Sequence, residues 1–349
     1  MNIQGSGAAA AAATHTRISS VPSQSSALTA DNYSETAGRV AGLMQSGRQG
    51  EAVALLNGAT DGQPQAVQDA MYRMVSSKLG ASISPEPFML EQAQYATPVE
   101  VGNTIRQINE AGSNPPSMPN TDGLSDQQKF MVYASIVEVR GNQSAKDALA
   151  DSESVILGLR SENDTMVNNG KGLYDDRLAV IAKEGDGTVH VKEFTRVSTE
   201  PTAQYDGNQK NHTDLGRFRR AEGEDVTNDG VPELGRLSEG TTEMIKASHP
   251  NPSSAGGTKW ALRPSSDAVT NGANRVERDS NHDLKFDSSD TNGVTDLNNT
   301  FKIHAGSRNN TDSAGCTTIH GDDYKDFKDA ATRDANQDTW QYVLTKVEP

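Results

Sequence analysis

With a single cysteine, Cys316, in 349 residues, the chain can form no internal disulfide, so its stability must come from packed cores and hydrogen bonds. That scarcity fits a reducing compartment, and equally an exported protein whose one thiol is kept for chemistry. Aromatic residues are few, at 5%, and apolar residues of all kinds reach only 34%, while glycine and proline contribute 31 and 14 residues. Modest cores and many turns follow. Basic residues are also short, 32 Lys and Arg against 47 Asp and Glu, which leaves a net charge of -15. A surface of that sign repels phosphate backbones and anionic lipid, so neither nucleic acid nor an anionic membrane is expected as a main partner. No apolar run is long enough to span a bilayer, and no membrane insertion is expected.

The length accommodates two domains with separate cores. Residues 1–30 contain Arg17 and no acid and are filled with Ala, Ser, Thr, Gly and Gln, the composition of a disordered leader. The run Ala8 to Ala13 is too short and too weakly apolar for a secretory core, and no Lys or Arg precedes it. Ser-rich, acid-poor leaders of this kind resemble those of bacterial type III secretion substrates. The resemblance implies a secreted or periplasmic protein exported by a non-Sec route; a cytoplasmic location is also compatible.

From Asp31 to Ala150 apolar residues recur at helical spacing. Val67, Ala70, Met71, Met74 and Val75 form one stripe after Pro64 that ends at Gly80. Val101, Ile105 and Ile108 form a second, ending near Gly112. Ser125 and Gln128 have the spacing of a capping box before a third, which runs through Phe130, Met131, Ala134, Ile136 and Val137 to Gly141. After Asp151 the pattern shifts to short β-type runs. These are Val155 to Leu157, Arg177 to Lys183, Thr188 to Phe194, Met244-Ile245, Trp260 to Leu262, Thr300 to His304 and Trp340 to Val347. Gly185-Asp186-Gly187 predicts a hairpin between the second and third, and one helix is expected in this half, from Asp322 to about Thr332. The fold class is therefore α+β, with a small helical domain over 31–150 and a β-rich domain over 151–349.

Chemistry concentrates near the C-terminus. Phe301-Lys302-Ile303-His304-Ala305-Gly306 is a strand delivering a histidine at its end. A polar loop leads to Ser313-Ala314-Gly315-Cys316-Thr317-Thr318-Ile319-His320, where a glycine turn presents the sole thiol. Acyl transfer needs a thiolate, and a free thiol is mostly protonated at neutral pH, so an imidazole must take its proton and hold the ion pair. Gly315 allows close backbone approach, and adjacent N–H groups can serve as an oxyanion hole.

The order of strand, histidine, loop, Ser-x-Gly-Cys, short strand and acidic helix start at Asp322-Asp323-Tyr324 resembles the catalytic domain of YkuD-type L,D-transpeptidases over roughly thirty residues. The chain departs from that pattern at Ala314, where the family carries His, at Thr318, where it carries Arg, and in a shorter loop. The resemblance implies a β-rich YkuD-like domain with Cys316 as acylated nucleophile and His304 as general base. It also implies Ser313 as a loop-shaping or His-orienting hydroxyl, and Gly315 with Cys316 as backbone donors. Gly306, Thr318 and His320 would flank the substrate. The implied reaction is L,D-transpeptidation or L,D-carboxypeptidation of peptidoglycan stem peptides through a thioester, with no cofactor required. Two other readings stay open. One is a secreted effector or a wall-binding or calcium-binding module that keeps the fold while catalysis is altered or lost; the other is a cysteine hydrolase acting on another peptide. Oligomeric state has no signature in the chain.

Two Asx-rich stretches are candidates for structural Ca2+. Asp279, Asn281, Asp283, Asp287 and Asp290 place oxygens at positions one, three, five, nine and twelve of an EF-hand-like loop, with Leu284 where glycine is usual. Asp225, Thr227, Asp229 and Glu233 surround Gly230 in a shorter loop of the same kind. Both stretches also read as plain Asx turns between strands.

Overall fold

The computed structural model describes residues 28–85, 95–208, 219–250, 258–291 and 293–348. The fold is α+β, a helical region followed by a β-rich part. The helical region holds α1 (Tyr33–Gln45), α2 (Gln49–Thr60), α3 (Gln65–Leu79), α4 (Pro98–Ser113), α5 (Asp126–Arg140) and α6 (Gln143–Ala150). The stripe ending at Gly80 is α3, and Gly80 closes it in the left-handed region at φ 68°, a conformation glycine adopts without strain. The Ser125–Gln128 capping box is formed at the start of α5, where each partner satisfies a backbone N–H of the other. A second capping box, Thr97 with Glu100, starts α4 ahead of the apolar stripe that marks it in the sequence. Residues 1–27 of the expected leader lie outside the described residues, whereas Leu28 and Ala30 are buried in the core of the helical region.

The β-rich part continues with β1 (Val155–Arg160), a single turn α7 (Val167–Gly170), β2 (Asp176–Lys183) and β3 (Val189–Ser198). Next come β4 (Gly235–Leu237), β5 (Gly240–Pro250), β6 (Thr258–Pro264), α8 (Ser266–Thr270), β7 (Val276–Arg278) and β8 (Val294–Thr295). The chain ends with β9 (Ile303–Ala305), β10 (Thr317–Ile319), α9 (Tyr324–Ala331) and β11 (Thr339–Lys346). Eight strands close into a barrel in the order β1-β11-β5-β6-β9-β10-β3-β2, and β4, β7 and β8 form a separate small sheet. Within the barrel β1 pairs with β11 and β9 with β10 in parallel, and the other pairs are antiparallel. The expected hairpin joins β2 and β3, with Glu184 and Thr188 paired across the turn. Where one helix was expected in this half there are three α-helices among the described residues, because α7 and α8 are too short to show a periodic stripe.

Alternation along the strands separates two cores. Ile156, Leu178, Val180, Met244, Leu262, Ile303, Ile319, Trp340, Tyr342 and Leu344 fill the barrel together with Phe327 and Ala331 of α9. Val155, Leu157, Leu159, Ala179, Ile181 and Val343 point outward into the helical core, which is why every residue of β1 is buried. Glu193 on β3 fastens the two layers by accepting hydrogen bonds from Thr121, Lys129 and Tyr133. The helices thus cover the β1, β2 and β11 arc, and β9 lies on the opposite side of the barrel. Among the described residues no helix is long and apolar enough to cross a membrane.

Candidate active site

On β9, Ile303 faces the barrel interior, so its neighbour His304 faces out. On β10, Ile319 points inward, as does Thr317, whose hydroxyl meets Tyr342 Oη at 2.9 Å, and Thr318 therefore shares the outer face. The parallel register sets Thr318 level with His304 and Thr317 level with Ile303, which puts Cys316 beside Lys302. His304 on β9 and Cys316, just before β10, are thus diagonal neighbours across the parallel pair.

The turn that carries Cys316 is held by Ser313 and Thr202. Ser313 Oγ donates to Cys316 O at 2.7 Å and accepts from Gly315 N at 3.1 Å. The Ser313 carbonyl accepts from both N and Oγ1 of Thr202, each at 2.9 Å. Ser313 is thus the loop-shaping hydroxyl, and it makes no contact that orients His304. Gly315 sits at φ +124°, and a β-carbon there would lie 2.1 Å from Gly235 O and 3.0 Å from Phe301, so the turn presses against β4 as only glycine can. Because Ser313 occupies the Gly315 N–H, the expected pair of oxyanion donors reduces to Cys316 N–H, which has no protein acceptor among the described residues.

The tautomer of the His304 imidazole is set by a backbone carbonyl. His304 Nδ1 lies 2.9 Å from Ala305 O, a carbonyl that can only accept, so the proton resides on Nδ1 and Nε2 is left bare. The ring stacks on that of His249 from β5, with centroids 3.8 Å apart and planes 5° from parallel. Burial, then the nearby His249, lowers the His304 pKa to about 3. Burial raises that of Cys316, against a lesser opposing effect of the Lys302 amide and ammonium. The resting pair is therefore a neutral thiol and a neutral imidazole rather than the expected ion pair. No hydrogen bond links them: the sulfur accepts from Lys302 N at 3.4 Å and faces Thr300 O at 3.5 Å. As a whole residue Cys316 is half-buried.

The residues expected to flank the substrate divide. Thr318 is fully buried beside His304. Gly306 donates to Ile319 O and carries the loop after β9 past Tyr174. His320 is engaged elsewhere, with Nε2 3.2 Å from Arg308 O, Nδ1 accepting from Asp322 N at 3.3 Å and its ring edge-on to Tyr174. That places it as a brace for the loop and not as a second imidazole at the sulfur. His249 has no counterpart in the sequence motif; its only signal is a histidine near the end of the β5 run, far from Cys316 in the chain.

The two cation candidates also divide. Asp279 accepts from Asp283 N at 3.0 Å and Leu284 N at 2.9 Å, and Asp290 from Ser280 N at 2.7 Å and Asp287 N at 3.0 Å, so these carboxylates serve the loop's own backbone. Asp225 does the same for Asp229 N and Gly230 N. Among the described residues one group of three His, Cys, Asp or Glu brings its ligand atoms within 4.8 Å of one another, and it is Asp229, Glu233 and His282. It joins the two loops and includes a histidine absent from the sequence-derived sets. No known protein family, curated protein or solved structure matches the chain.

Proposed function

We propose that the protein is a cysteine acyltransferase acting on peptide carbonyls, with peptidoglycan stem peptides as its substrate class. The observation that carries the reading is the His304 tautomer. With Nδ1–H held by Ala305 O, the bare Nε2 shares an outer barrel face with Cys316, the sole thiol. His304 Nε2 takes the thiol proton as sulfur bonds to the carbonyl carbon, and Cys316 N–H receives the developing oxyanion. The C–N bond then breaks, the amine leaves with the proton from His304, and a thioester remains. An amine acceptor or water, deprotonated by His304, attacks the thioester and restores the thiol. Absence of an imidazole–sulfur hydrogen bond is compatible with this sequence, since catalytic contacts in ligand-free enzymes are commonly long and tighten with substrate. The lowered pKa of His304 beside the raised one of Cys316 makes that proton transfer uphill in the resting site, an observation that favours the competing reading of a module that only binds.

The choice of stem peptides rests on the likeness of Ser313 to Cys316 to the YkuD-type turn. With Thr318 in place of arginine, the cation adjoining the sulfur is Lys302, whose ammonium donates to Ser248 O at 3.1 Å and remains exposed enough to meet a substrate carboxylate. Incubating the protein with purified muropeptides and following products by mass tests the reading. Cys316→Ala and His304→Gln are each expected to abolish turnover, and unchanged turnover in Cys316→Ala defeats it. A module that only binds is the competing reading, and it gains from the resting separation of thiol and imidazole; it would bind muropeptides without product formation in the unaltered protein.

A further inference from the structure

We propose that Asp229, Glu233 and His282 bind one divalent transition-metal ion of the zinc class, clamping the two Asx loops together. This is one histidine-containing centre between the loops, a different arrangement from a calcium ion held inside each.

Both loops are built alike. In each the first aspartate caps the N–H groups four and five residues on, and the fourth residue, Asn228 in one and His282 in the other, takes a left-handed φ of 61° and 58°. His282 thereby leaves its own loop and reaches the other. Its side chain is only 9% exposed, and neither ring nitrogen has a hydrogen-bond partner. A buried imidazole without a partner is costly, and this one is aimed at carboxylates. Nε2 lies 3.6 Å from Glu233 Oε1 and 3.8 Å from Asp229 Oδ2. Those gaps exceed any hydrogen bond, and they approach the edge of about 3.4 Å of a tetrahedron whose metal–ligand bonds are about 2.1 Å.

The surroundings have the features of a supported metal ligand set. Asp206, fully buried, faces the other ring nitrogen at 3.8 Å, the place of the carboxylate that commonly holds a metal-bound histidine. Glu233 is anchored by Thr227 Oγ1 at 2.6 Å and Val226 N at 2.7 Å. Asp229 is exposed and gives a route in from solvent. Three carboxylates surround one imidazole, and the Arg278 guanidinium pairs with Glu224 and touches Glu233 through its carbonyl. A protonated His282 would leave that charge uneven, whereas a dication balances more of it. The imidazole argues against Ca2+ and Mg2+, which prefer oxygen alone.

The test uses the full chain after chelation, titrated calorimetrically with ZnCl2. One Zn2+ per chain is expected. That stoichiometry should persist in Cys316→Ala, which separates this site from any zinc held by the thiol, and at least a tenfold loss of affinity is expected in His282→Ala and Glu233→Gln. Zinc binding of unchanged affinity in His282→Ala, or Ca2+ bound here more tightly than Zn2+, overturns the proposal. Should those variants fail to fold, Co2+ added to the unaltered protein decides. A hyperfine-shifted imidazole N–H resonance is expected, since a neutral imidazole that ligates through Nε2 carries its proton on Nδ1, and its absence overturns the proposal.

Discussion

Acidification should weaken this fold through one imidazole. His304 is 2% exposed, and burial first, with His249 adding to it, carries its pKa from 6.5 to about 3. Between those two values the unfolded chain binds a proton that the folded chain refuses, so stability falls as pH falls. The contribution is complete above pH 6.5 and is progressively lost toward pH 3. One pKa unit is about 1.4 kcal/mol, so moving from about pH 7.5 to about pH 4.5 crosses two units below the unfolded value and removes about 2.7 kcal/mol. Such a loss is a large part of the ~5–15 kcal/mol that holds a typical domain folded. Asp176, whose buried carboxyl is raised to about 7, acts with the opposite sign, its contribution present at low pH and lost as pH rises through 7. The two are separated by differencing. Urea unfolding of the unaltered protein and of His304→Gln across this range should show the former losing about 2–3 kcal/mol more. Parallel stability curves, or a His304 ring that titrates near 6.5 by NMR, would refute the reasoning.

Other expectations concern the turn, the thiol and a buried ion cluster. Gly315→Ala forces a side chain at φ +124° and 2.1 Å from Gly235 O, a backbone clash that no rotamer relieves. A cost of about 2–4 kcal/mol by urea unfolding is expected, and one below about 0.5 kcal/mol would contradict it. Because burial raises the Cys316 pKa, alkylation by iodoacetamide at neutral pH should run several-fold slower than for a cysteine in a short peptide; faster reaction would mean a resting thiolate. Arg236, 3% exposed, pairs with Glu162 at 2.8 Å, Glu200 at 2.7 Å and Glu277 at 2.6 Å. Arg236→Ala should cost about 3–5 kcal/mol by stranding Glu200 in the interior, and a Tm equal to that of the unaltered protein would refute this.

Local features were legible in the residues themselves. The Ser125–Gln128 spacing, the stop at Gly80 and the glycine pair around Asp186 each encode a structure within a few positions, and each forms where the sequence places it. The closed barrel was not legible, because the pairs Ile156 with Tyr342 and Thr318 with Ser198 are set by contacts between distant segments and leave no local trace. The same limit hid the site's wider composition. Cys316 and His304 stand in one recognisable stretch, but His249 reaches them only because β5 and β6 lie beside β9 in the barrel. His282 occupies a position that carries no ligand in an EF-hand-like pattern, and the left-handed turn that sends it to the other loop becomes visible only in three dimensions.

Intact-mass measurement of the protein after exposure to a carbapenem or to stem-peptide fragments addresses the acyl-transfer claim most directly. One covalent adduct should appear, map to Cys316, and form much more slowly in His304→Gln. An unmodified Cys316 in the folded protein, or an adduct that forms equally fast without the imidazole, would contradict the account.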